Sequence, residues 1–208
     1  MIYAISIQQI DSSREDVYLA SVQDQEAVID DGHHFKGRTV LRSQVEEGTY
    51  WLIDAWTDEP AMQMALAAAR TLATVAALVE VPKQLLADGE ELARRTRVAV
   101  GGPAAEPPPP FFLIGENWVK EFCVGDYRAE VLVRGRGLLE EPGFTRRLML
   151  IDRERAHHYW VIDEWASERD AYESYERRVT PEIEATRFLS FLAERVKPIL
   201  ATGLQVGA

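Results

Sequence analysis

The chain has 208 residues, and its 34 acidic against 23 basic side chains give a net charge of −11. That balance argues against nucleic acid or an anionic membrane as a main partner, because both select a basic footprint. A single cysteine, Cys123, rules out an internal disulfide and supplies no metal-ligand cluster, so no metal site is expected.

Ile2 to Ile10 alternates loosely and carries β-branched residues, which predicts a strand. No basic leader precedes it, so a cytoplasmic setting is expected. Asp11-Ser12-Ser13 offers N-caps, and Glu15 and Asp16 suit the first turn of a helix that Gly32 ends. Phe35 to Val45 and Tyr50 to Thr57 read as a hairpin closed by Glu46-Glu47-Gly48-Thr49. Asp58-Glu59-Pro60 starts a helix predicted to run to about Ala93, with breaks near Pro82 and Asp88-Gly89. Its apolar run from Ala65 to Val81, interrupted by Arg70 and Glu80, reads as a buried helix and not a membrane span. Arg94 to Val100 is the predicted last strand of this half.

Gly101 to Pro110 reads as a linker, flexible at its glycines and extended at its prolines. The order then restarts. Phe111 to Phe122 is a predicted strand, Gly125 to Leu139 a helix, and Phe144 to Asp152 with His158 to Ala166 a second hairpin. Ser167 with Asp170 forms a short capping box, Thr180-Pro181 opens a further helix, and Thr202 to Val206 closes with a strand.

Tyr50-Trp51-Leu52-Ile53-Asp54-Ala55-Trp56 recurs as Tyr159-Trp160-Val161-Ile162-Asp163-Glu164-Trp165, a constant offset of 109 residues. Tyr18 with Tyr127, Phe35 with Phe144 and Arg38 with Arg147 keep that offset without a gap. The predicted fold is α+β, two ferredoxin-like βαββαβ repeats forming an intrachain pseudo-dimeric α/β barrel. The expected divisions are 1–100 for the first repeat, 101–110 for the linker and 111–208 for the second. Each repeat covers one sheet face with its helices, and a tandem is able to bury the two bare faces; a homodimer of the whole chain is a further possibility.

Pro142-Gly143-Phe144, the hairpin, Tyr159-x-Val161-Ile162-Asp163-x-Trp165-x-Ser167 and a helix holding Ala171-Tyr172 resemble the antibiotic-biosynthesis monooxygenase family of the dimeric α/β-barrel superfamily. The likeness is weaker in the first half, through His34-Phe35, Trp56 and Glu59. It implies a fold more than a chemistry, since the family spans cofactor-independent quinone-forming monooxygenases, haem-degrading oxygenases and proteins of no known activity. Asn117 matches the first-strand asparagine of the haem-degrading members. Nothing matches their histidine ligand, and Ser174 stands at their tryptophan, which disfavours haem degradation.

Period-2 reading of the first strands places Ser6 and Gln8, like Gly115 and Asn117, on a face that suits a cavity lining. The bulkier Tyr3, Ile5 and Ile7 and Phe112, Ile114 and Trp118 are assigned to packing under the helices. The Asn117 carboxamide both donates and accepts, as holding a quinone oxygen or dioxygen requires. Asp163 and Asp54 lie among aromatics and need partners, for which Arg147, Arg38 and Arg42 are available. Asp163 is read either as an acid/base or as half of a repeated salt bridge that fixes hairpin register, the latter favoured because the pair recurs. Tyr159 and Trp165 complete the candidate cavity wall; Trp56 and Trp165 are expected as packing anchors, and Tyr127 and Tyr172 as core. The four histidines, His33, His34, His157 and His158, are read as solvated turn residues, and Cys123 as inert.

Two functions follow as expectations. One is a cofactor-independent monooxygenase that oxidises a small aromatic or phenolic, quinol-type molecule, with Asn117 and Asp163 at its centre. The other is a non-catalytic barrel that binds a small hydrophobic ligand or serves a structural role.

Overall fold

The computed structural model describes residues 1–70, 83–95, 109–178, 192–195 and 199–204. By contacts the chain forms two compact units: Met1–Gly89 with the chain end from Thr202, and Glu90–Ala201.

In the first unit β1 (Ile2–Gln9) leads into a 3-10 turn (Ser12–Arg14), whose start is capped by Asp11 accepting from the Ser13 amide, and then α1 (Glu15–Ile29). The hairpin β2 (Phe35–Ser43) and β3 (Thr49–Trp56) follows, turning at Gly48 with φ +72°. A side chain on this backbone would collide with the Ile10 carbonyl, and the positive φ favours glycine here. Asp58 caps α2 (Glu59–Arg70) by accepting from the Ala61 amide at 2.8 Å. β1 pairs antiparallel with β3 (Ile2 opposite Trp56) and with β4 (Lys83–Arg94; Ile2 opposite Asp88). With β2 on β3, the order is β4-β1-β3-β2, the antiparallel ferredoxin-like sheet.

The second unit repeats this element for element. β5 (Phe111–Val119), a 3-10 turn (Glu121–Cys123), α3 (Val124–Leu138), β6 (Phe144–Asp152), β7 (His158–Trp165) and α4 (Glu168–Arg178) stand at the 109-residue offset. β5 pairs with β7 and with β8 (Leu192–Arg195), giving the order β8-β5-β7-β6; β9 spans Ile199–Leu204. Both hairpins carry the same bulge, Phe35/Gly37 and Phe144/Arg146. Where the first turn has Gly48, the second has His157 at φ +73°, and the chain is therefore α+β with two ferredoxin-like repeats down to single turns.

One predicted helix gives way to a strand. Lys83–Arg94 has good helix formers, yet it forms β4, because β1 is central and its second edge must be hydrogen-bonded. Pairing overrides local propensity here. The predicted strand from Arg94 therefore starts earlier, and 96–100 lie outside the described residues, as do 71–82 of the predicted helix. For the same reason Leu192–Arg195, for which the sequence predicts no strand, is a strand on β5. The final strand spans Ile199–Leu204, starting before the predicted Thr202; 205–206 of that prediction, 101–108 of the linker and the helix start at Thr180-Pro181 are outside the described residues.

The face assignment of the first strands is also reversed. Ala4 packs with Ile29, Trp56 and Met62, and Val119 with Tyr127 and Val131, so the even face of β1 and the odd face of β5 lie under the helices. Tyr3, Ile5, Phe112 and Ile114 are buried on the opposite face. Side-chain bulk misled the reading, because small residues let helices sit close while large ones need room. Tyr172 is not core: it is exposed and touches Phe111 with its ring.

Candidate functional site

On the helix-side face, the two repeats solve the same position differently. In the first, the Tyr18 hydroxyl donates to Gln8 Oε1 at 2.7 Å, and Gln8 Nε2 donates to Ser6 Oγ at 2.9 Å. All three side chains are thereby spent on one another, and burial pushes the Tyr18 phenol up. In the second repeat Asn117 is one methylene shorter and Gly115 has no side chain. Asn117, 8% exposed, donates from Nδ2 to the Gly115 carbonyl at 3.0 Å, and its Oδ1 makes no hydrogen bond among the described residues. Asn117 stands opposite Tyr159 in the sheet, and the Tyr159 ring packs on Tyr127 at 5.1 Å.

The register shows which candidates meet. Asn117, Gly115 and Tyr159 share one end of the β5–β7 pair. Asp163 stands opposite Leu113 and Trp165 opposite Phe111, roughly 13 and 20 Å further along the strands. Trp165 is buried against Phe144, Phe111 and Leu138, and its indole N–H has no hydrogen-bond partner among the described residues. Trp56 shares that property in the first repeat.

Asp163 is held at both oxygens. Arg147 Nε and Nη2 donate to Oδ1 and Oδ2, each at 2.6 Å, and Nη1 reaches the Val131 carbonyl on α3 at 3.3 Å. Arg38, Asp54 and Val22 repeat the arrangement at 2.6, 2.7 and 3.2 Å. Burial pulls the Arg147 guanidinium down, but Asp163 more than offsets this and its pKa is raised. Gly135 makes room for the guanidinium stem under α3: a Cβ there would lie 3.1 Å from Arg147 Cδ. Arg42, the other candidate partner, instead meets Glu15 at the surface.

The opposite face of β5 and β7 holds a feature that the sequence reading missed. His158 is 0% exposed, not a solvated turn residue. Its Nδ1 lies 2.9 Å from Asp152 Oδ2 and its Nε2 lies 2.7 Å from Glu116 Oε1. The ring stacks on Trp118 (centroids 4.1 Å apart, 12° between planes) and abuts Trp160 at 4.1 Å. Both contacts act as hydrogen bonds together only when the three groups share two protons between them. The signal was available: period 2 puts His158 on the face of Trp160 and Ile162, so it belongs to the strand and not to the turn. Among the described residues no group of three or more His, Cys, Asp or Glu is arranged to hold a metal ion.

No protein-family model matches the chain, and no curated protein matches its sequence. Its fold, however, is shared with solved structures. A provisionally assigned monooxygenase from Fusobacterium nucleatum aligns over 98% of this chain and 92% of its own, with TM-score 0.77 and 12% identity. One from Lactobacillus acidophilus aligns over 97% and 93%, with TM-score 0.70 and 13% identity. An anthrone oxidase-like protein aligns over 98% and 91%, with TM-score 0.64 and 13% identity. The chain thus has the monooxygenase-like fold that its motif resemblance implies, and at these identities the likeness is one of fold. Among the described residues no helix is long and apolar enough to cross a membrane.

Proposed function

We propose that the second repeat carries a cofactor-independent monooxygenase site for a small aromatic, quinol-type substrate. The observation that carries this reading is the broken symmetry at Asn117. Where the first repeat closes Tyr18, Gln8 and Ser6 into one hydrogen-bonded chain, the second has, beside a glycine, a shorter amide whose oxygen makes no hydrogen bond among the described residues. The fold shared with provisionally assigned monooxygenases along the whole chain supports it.

A substrate of this class supplies its own electrons: one atom of dioxygen enters the ring and the other leaves as water. Asn117 holds the substrate oxygen, Gly115 gives it room, and Tyr159 walls the site. Asp163 acts at a distance, keeping Arg147 and the hairpin in register, because both of its oxygens are already engaged. An apolar, water-excluding setting does the remaining work.

Oxygen consumption by the cofactor-free protein against a panel of hydroquinones tests this. Uptake that Asn117→Ala lowers at least tenfold, and that the surface variant Glu173→Gln leaves alone, is expected. Uptake unchanged by Asn117→Ala removes the site; quinol binding without uptake leaves a ligand-binding protein.

A further inference from the structure

We propose that Glu116, backed by His158 and Asp152, is a separate proton-transfer site on the other face of β5, taking an uncharged planar aromatic ligand with an acidic O–H or C–H. The first repeat keeps the fold without these three groups: Ser43 Oγ accepts the Val45 and Glu46 amides as Asp152 Oδ1 accepts those of Glu154 and Arg155, so what the second repeat adds is the contact of Asp152 Oδ2 with His158 and of His158 with Glu116. Their positions in the first repeat hold Ile7, Thr49 and Ser43 on the same backbone. Even the closing bond is kept, Ile10 N to Gly48 O at 2.9 Å and Val119 N to His157 O at 2.8 Å. Burying ionisable groups is costly, so their presence in one repeat alone calls for a purpose beyond folding.

The geometry assigns each member a task. Asp152 Oδ1 accepts the turn amides of Glu154 at 2.8 Å and Arg155 at 3.2 Å, which fixes the carboxylate and turns Oδ2 to His158 Nδ1. The two indoles clamp the ring, so Nε2 stays aimed at Glu116. This is the order of an acid–histidine–acceptor triad with a carboxyl group in third place. Within the cluster the His158 and Asp152 side chains are 0% and 1% exposed, and Glu116 is 21% exposed. Protons therefore enter and leave through Glu116, which is the catalytic residue, while His158 and Asp152 position it and share its proton. Two carboxylates to one imidazole disfavour an anionic ligand, the Arg155 guanidinium at 5.9 Å from the Trp118 ring centre already takes the place a cation would use, and the part-exposed Trp118 indole, two residues from Glu116 on the same strand face, suits a planar aromatic one.

The probe is 5-nitrobenzisoxazole with the full-length protein. Glu116 takes the ring C–H proton, the N–O bond breaks, and its electron pair becomes the phenolate of the nitrile product. The step is an isomerisation that needs no oxidant or other reagent. Saturable ring opening is expected. Glu116→Gln should lower kcat roughly 10²-fold, and Glu116→Asp should keep part of the rate. Asp152→Asn should lower kcat with KM little changed. Absence of saturable turnover in the unaltered protein, or a Glu116→Gln rate equal to it, overturns the proposal. If Asp152→Asn fails to fold, the Gln and Asp variants at position 116 decide alone, with near-ultraviolet circular dichroism confirming their packing. The reaction consumes no oxygen, so this inference and the oxygenase reading fail independently.

Discussion

Replacing Asp163 with Asn keeps the shape of the side chain and removes its charge. Arg147 then faces an amide that accepts at one oxygen only, with an NH2 group turned toward its second donor. The guanidinium stays charged and 12% exposed, with its third contact on the Val131 carbonyl unable to neutralise it. Removing one partner of a buried pair costs about 3–5 kcal/mol. The first-repeat pair is drier, with Arg38 and Asp54 at 3% and 5% exposure, so Asp54→Asn should fall at the upper end of that range and Asp163→Asn at the lower. In urea unfolding, with slopes of about 1–3 kcal/mol per molar, the Asp163→Asn midpoint should drop by about 1 M or more. The double variant Arg147→Met/Asp163→Leu should recover most of the loss, because no charge is left stranded. An Asp163→Asn cost below about 1 kcal/mol, or a double variant as unstable as the single one, would refute the claim that this carboxylate is structural.

Other expectations follow from single contacts. Hydrogen bonds from Arg177, opposed by some desolvation and reinforced by Arg178, hold the Glu141 carboxyl at about 2, below its ordinary 4.5. A depressed carboxylate stabilises the fold above its unfolded value and loses that contribution as pH falls from 4.5 toward 2. Glu141→Gln should therefore cost about 1 kcal/mol at pH 7, modest because the arginines are half-exposed. Thermal unfolding should show the gap closing near pH 2.5, and an unchanged gap contradicts the ion-pair account. His157 occupies a left-handed turn position that glycine fills in the first repeat, so His157→Gly should stabilise by about 1 kcal/mol in the urea midpoint. Gly143→Ala should destabilise by about 2 kcal/mol or more, since φ is +72° and the new Cβ would collide with the Asp170 carboxylate that completes the Ser167 cap.

The doubled Tyr-Trp-x-Ile-Asp-x-Trp segment made the architecture legible, because register and bulge repeat wherever the sequence does. Caps were legible too, since Asp11, Asp58 and Ser167 act on backbone amides a few residues away. What failed was non-local. Lys83–Arg94 is a strand because β1 needs an edge partner some eighty residues away in sequence, which no local pattern contains. The helix side of β1 was misjudged because side-chain size does not say which face a helix approaches. His158 was missed because its two partners come from other strands, forty-two and six residues away. Differences between repeats proved more informative than their identities: Ser6 against Gly115, Gln8 against Asn117, and Ile7, Ser43 and Thr49 against Glu116, Asp152 and His158.

That last point is the central claim, that chemistry resides where the second repeat departs from the first. The double variant Gly115→Ser/Asn117→Gln rebuilds the first repeat's arrangement beneath Tyr127, with Asn117 Nδ2 the nearest atom to the new Cβ at 3.3 Å. Oxygen uptake with the hydroquinone panel, measured on this variant beside the unaltered protein, should be lost while the thermal midpoint stays within a few degrees. Uptake at the unaltered rate in a folded variant would contradict the claim.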